Sequence, residues 1–133
     1  MEGLKLSVDE LIEVISTYTA TEQAIMAVAA SPGWYAVGAF KMRATLAVFL
    51  GGVVSVSHAS LTLRARLFDL TAAVPVEIQL ATQELVDTYT SSGEAELVGG
   101  HIYQMQIEVV GNAGEQYFGS MKSLTLAALN LDG

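Results

Sequence analysis

Leu61-Thr62-Leu63-Arg64-Ala65-Arg66-Leu67 and Tyr103-Gln104-Met105-Gln106-Ile107-Glu108-Val109 each set apolar residues on one parity and polar residues on the other. Successive side chains of a strand point to opposite faces, so a period of two means one buried face and one wet face. Phe40, Met42, Ala44, Leu46 and Val48 keep the same rhythm, with Lys41 and Arg43 between them. The alternation continues to Ala128, interrupted only by glycine-rich stretches. It predicts strands near residues 34–50, 53–69 (with a break at Ser57-His58), 76–83, 94–98, 101–110 and 116–129. Gly51-Gly52, Thr71 to Pro75, Ser91-Ser92-Gly93, Gly99-Gly100 and Gly111-Asn112-Ala113-Gly114 read as the turns. Strands at turn-bounded spacing, without helical periods between them, predict an all-β, antiparallel β-sandwich. Long strands with longer crossovers make it jelly-roll-like.

The first residues read differently. Ser7-Val8-Asp9-Glu10 has the form of a capping box, and Val8, Leu11, Ile12 and Ile15 fall at helical spacing. A short N-terminal helix is expected over residues 8–15. The chain then divides into a helical arm, residues 1–15, and a sandwich domain, residues 16–133. Residues 16–31 carry both signals: Thr17, Tyr18 and Thr19 favour a strand, while the alanines around Ile25-Met26 favour a helix. The strand is the reading adopted, because Ser31-Pro32-Gly33 turns directly into Trp34-Tyr35.

A chain of 133 residues can bury roughly two thirds of its surface without crosslinks, and the absence of cysteine excludes disulfides, thiolate metal sites and thiol nucleophiles. Fourteen acidic residues against six basic ones give a net charge of −8, which opposes nucleic-acid binding. Arg64 with Arg66, and Lys41 with Arg43, read as solubilising charges on outward sheet faces. Apolar residues make up 52% and charged ones only 15%, a balance that leaves apolar surface for partner subunits. The uncharged run between Arg43 and Arg64 is long enough to span a bilayer. Gly51-Gly52 and the regularly placed Ser55, Ser57, Ser60 and Thr62 make it a hairpin instead. Met1-Glu2 begins acidic and carries no secretory leader pattern, so the expected site of action is where the chain is made, or an assembly that carries it.

Catalytic signatures are missing. His58 and His101 have no second histidine or carboxylate at metal-ligand spacing, and no serine lies in a Gly-x-Ser-x-Gly elbow. The glycine stretches lack the lysine of a phosphate loop. Glu94 and Glu96 share a strand face, and Asp69, Glu77, Glu84 and Asp87 lie around the central loops; all read as a solvated rim rather than as a glycosidase pair or a calcium site. No catalytic residue, cofactor or metal is expected. Aromatic rings remain: Trp34, Tyr35, Tyr89 and Tyr117 are the candidates for stacking on a glycan or a partner, with one of Tyr117 and Phe118 facing outward.

Arg66-Leu67-Phe68-Asp69, within the strand end "RLFDLT", and the hairpin "YQMQIEVVGNAGEQYFGSMKSLTL" carry a resemblance. Over residues 17–129 the chain resembles the small β-sandwich modules of tailed-phage virions, those of head-decoration, baseplate, and tail-fibre or tail-tip proteins. That resemblance implies a structural role in a virion, with like subunits (a trimer is one form) and other virion proteins as partners. Carbohydrate-binding sandwiches of secreted enzymes share the skeleton and supply the alternative, glycan recognition through exposed aromatics.

Overall fold

Paired strands nest inside one another along this chain. The computed structural model describes residues 12–14, 17–20, 23–26, 33–111 and 117–128. Its strands are β1 (Ile12–Val14), β2 (Thr17–Ala20), β3 (Gln23–Met26), β4 (Tyr35–Met42), β5 (Leu46–Val56), β6 (Leu61–Asp69), β7 (Val74–Thr82), β8 (Thr88–Leu97), β9 (Ile102–Gly111) and β10 (Phe118–Ala128). β3 pairs with β10, β4 with β9, β5 with β8 and β6 with β7, all antiparallel. The chain is therefore one long hairpin with its tip at residues 70–73, folded so that successive pairs fall in alternate sheets. Pairing of β6 with β9 and of β10 with β5 joins them into sheet A, β1-β4-β9-β6-β7, and sheet B, β2-β10-β5-β8. This strand order is that of a jelly roll.

The predicted alternation decides which faces meet. Leu61, Leu63, Ala65 and Leu67 of β6, and Tyr103, Met105 and Ile107 of β9, are at most 1% exposed. They face Leu50, Val54, Met121, Leu124 and Leu126 of sheet B across one core.

Three turn assignments are corrected. Gly51-Gly52 lies inside β5, and the chain turns instead at residues 43–45. The glycines are there for close approach. The Tyr89 ring covers Gly51, and a Cβ on Gly52 would stand 2.5 Å from the Ser123 carbonyl oxygen. Ser91-Ser92-Gly93 is likewise inside β8. Phe49 pairs with Glu94 and Gly51 with Ser91, so Leu50 faces two residues, which is a β-bulge. The Ser92 hydroxyl replaces the lost ladder bond by accepting from the Leu50 amide at 2.9 Å. Thr71 to Pro75 shortens to a turn at residues 70–73, and Pro75 is the second residue of the edge strand β7, where a missing N–H is tolerated.

The corner at residues 43–45 had no glycine to announce it. It is held by the turn opposite: the Gly99 amide donates to Thr45 Oγ1 at 2.8 Å, and the Gly100 amide donates to the Met42 carbonyl at 2.7 Å.

The helix expected over residues 8–15 is not found at Ile12–Val14, which is extended and pairs in parallel with Phe40–Met42. Two β-branched residues suit a strand, and the ladder covers an edge of β4 that would otherwise be open. The rest of that prediction lies outside the described residues. Thr17–Ala20 and Gln23–Met26 agree with the strand reading of residues 16–31. Among the described residues, no helix is long and apolar enough to cross a membrane.

Candidate functional site

The outer face of sheet A carries the densest polar construction among the described residues. The register of β6 with β9 sets Arg64 opposite Glu108, Arg66 opposite Gln106 and Phe68 opposite Gln104. Each pair shares the face turned away from the core. Arg64 Nη2 donates to Glu108 Oε1, and Glu108 is only 6% exposed although it stands on the outward parity. Arg66 Nε donates to Gln106 Oε1 at 2.8 Å, and Gln106 Nε2 donates to Gln104 Oε1 at 2.8 Å. Trp34 lies across both arginines, its ring centroid 4.1 Å from the Arg66 guanidinium carbon and 5.8 Å from that of Arg64. The Phe68 ring stands 5.6 Å from the same Arg66 carbon. Guanidinium planes stack well on aromatic faces, so Trp34 and the two arginines hold one another in place, while the Arg64 side chain stays 41% exposed. Arg64 Nε is buried within it and has no hydrogen-bond partner.

The four aromatic candidates are not gathered into one platform. Trp34 lies on the outer face of sheet A, followed by Tyr35, which is 42% exposed. Tyr89, 61% exposed, lies over Gly51 on the outer face of sheet B. Tyr117 packs against the His58 ring, with centroids 4.6 Å apart, while Phe118 faces outward. Tyr103 belongs to the core, its hydroxyl accepting from the Val98 amide at 2.8 Å.

The carboxylates hold separate partners. Asp69 accepts from the His101 ring at 2.8 Å and from the Ala72 amide at 2.9 Å. Burial pushes its carboxyl up, but these hydrogen bonds and the His101 ring outweigh that and hold it below the ordinary carboxylate value. Burial raises the Tyr103 phenol, and the Asp69 charge raises it further. Asp87 accepts from the Ser55 hydroxyl at 3.0 Å. Glu94 and Glu96 are exposed on β8, opposite Phe49 and Ala47. His58 Nδ1 accepts from the Ser60 amide at 3.0 Å. No group of three or more His, Asp or Glu that could hold a metal ion occurs among the described residues.

Sequence reading missed two arrangements. His101 and Asp69 are 32 residues apart and meet only through the β6–β9 register. Trp34 precedes β4 and reaches β6 across β9, a link that no local spacing announces.

No family profile and no curated protein sequence matches this chain. Solved structures do share its fold. The VP2 capsid protein of infectious bursal disease virus, solved as a subviral particle, matches with a TM-score of 0.54 at 12% identity over 84% of this chain. The chain spans about a third, 32%, of that capsid protein. A carbohydrate-binding module of Cellvibrio mixtus lichenase 5A, solved in complex with cellotriose, matches over its whole length and 87% of this chain, with a TM-score of 0.53 at 13% identity. The Cry4Aa toxin of Bacillus thuringiensis matches over 92% of this chain and 25% of its own, with a TM-score of 0.56 at 5% identity. At these identities the likeness is one of fold.

Proposed function

We propose that this chain is a non-enzymatic structural subunit of a virion, of the tailed-phage kind, that assembles with like subunits and with other virion proteins. One observation carries the reading. Leu85 and Val86, in the crossover from sheet A to sheet B, are 58% and 68% exposed, and the 61%-exposed Tyr89 follows them onto sheet B. Beyond Tyr89, the outward positions of β5 are Ala47, Phe49, Gly51 and Val53, without a charge among them. Glu94 and Glu96, opposite Phe49 and Ala47, rim this strand, and its uncharged centre beside three exposed apolar side chains suits burial against another protein. The fold shared with a viral capsid protein supports the same role. Sedimentation velocity over a micromolar concentration series tests assembly: concentration-dependent association supports it, and a monomer at every concentration counts against it.

A second reading, glycan recognition, is favoured by the Trp34 face. There a partly exposed ring lies among guanidinium and amide groups, the chemistry that saccharide rings and hydroxyls require. Binding of any oligosaccharide that alanine at Trp34 abolishes supports it.

A further inference from the structure

The outer face of sheet A carries a fixed cation, Arg66, that makes no ion pair among the described residues, although the exposed Glu77 stands on the same face of the neighbouring strand β7. Arg64 and Arg66 approach one ring, Trp34, and only Arg64 bonds a carboxylate. Among the described residues, Arg66 bonds only the neutral Gln106 amide. Its Nε is held by that amide and its plane by Trp34 at 4.1 Å and Phe68 at 5.6 Å. A guanidinium fixed at Nε and stacked on a ring presents its terminal nitrogens as a preset fork, the geometry that takes a carboxylate in two parallel hydrogen bonds. Gln106 and Gln104 continue as a hydrogen-bonded row along β9 and supply amide donors and acceptors beside the fork. A single unpaired guanidinium on a chain of net −8 suits a singly charged ring better than a phosphate polymer, which the whole molecule repels.

We infer that this face binds a carboxylate-bearing saccharide of the uronic-acid class. The Arg66 fork takes the carboxylate, the Trp34 ring meets the apolar face of the sugar, and Gln104 and Gln106 bond its hydroxyls. This rests on the glycan reading above and adds the charge of the ligand.

Trp34 is the chain's only tryptophan, so its emission reports occupancy of the site directly. The test titrates the full chain with tri-galacturonate, with the neutral cellotriose and with a glutamate-rich peptide, following Trp34 fluorescence. Tri-galacturonate is expected to bind, more weakly as salt rises, and at least about tenfold more tightly than cellotriose. Arg66→Gln is expected to lose about tenfold in affinity. Arg66→Lys keeps the charge without the fork and is also expected to weaken binding, whereas Lys122→Gln, on β10 of sheet B, leaves it unchanged. Equal binding of cellotriose and tri-galacturonate overturns the inference while the glycan reading stands. Binding of the peptide in place of the sugar, or no binding at all, overturns both.

Discussion

His101 Nδ1 donates to Asp69 Oδ2 at 2.8 Å, tying the start of β9 to the end of β6 just before the turn at residues 70–73. The same turn is closed from both sides, because the Ala72 amide donates to Asp69 Oδ1 and the Ile102 amide donates to Thr71 Oγ1. One buried carboxylate thus organises the tip of the long hairpin. With the Asp69 carboxyl held below its ordinary value of 3.8, the folded state binds its proton less readily than the unfolded state does. Its contribution is present above that ordinary value and is lost as pH falls through the lower, folded value. Asp69→Asn should cost on the order of 1–3 kcal/mol near neutrality, the penalty for disrupting a buried hydrogen-bonded charge. Denaturant midpoints of wild type and Asp69→Asn should differ at pH 7 and converge below about pH 4; a constant gap would contradict this role.

Core parity is testable at four positions. Leu63, Leu67, Met105 and Ile107 are fully buried, so each truncation to alanine should cost on the order of 2–5 kcal/mol in equilibrium unfolding. Near-neutral effects at all four would mean that the faces of sheet A are reversed.

Adjacent glycines in β5 should respond unequally to alanine. At Gly52 the new Cβ meets the Ser123 backbone oxygen at 2.5 Å, and backbone cannot move aside cheaply. A loss of roughly 1–3 kcal/mol is expected there, as for other overpacked sites. At Gly51 the obstacle is the outer end of the exposed Tyr89 ring, which can swing into solvent, so the loss should be smaller. Thermal denaturation of the two variants gives the comparison.

Much of this architecture was legible in the sequence, because one chemistry governs it. The alternation at Leu61–Leu67 and Tyr103–Val109 is a local signal of a buried face, and it located both central strands of sheet A and their core residues. Glycine was less informative. Gly99-Gly100 marked a turn, yet Gly51-Gly52 and Gly93 carry the same residue type for close approach and for a bulge. Those causes lie in Tyr89, Ser123 and Leu50, each remote in sequence from the glycine it concerns. The polar face was half legible. The outward parity of Arg64, Arg66, Gln104 and Gln106 was plain, but their bonding depends on a cross-strand register that no single strand encodes. The two arginines read as solubilising charges and proved to be stacked on Trp34, with Arg66 bonded to Gln106.

Assembly through the exposed apolar crossover is the central claim, and the mass of the chain in solution tests it most directly. Light scattering at micromolar concentration should give a multiple of the 14.1 kDa chain mass for wild type. The paired substitution Leu85→Asp with Val86→Asp should bring it down toward a single chain, because burying those charges in an interface is unfavourable. A wild-type mass of one chain, or an oligomer that this pair leaves intact, would contradict the account.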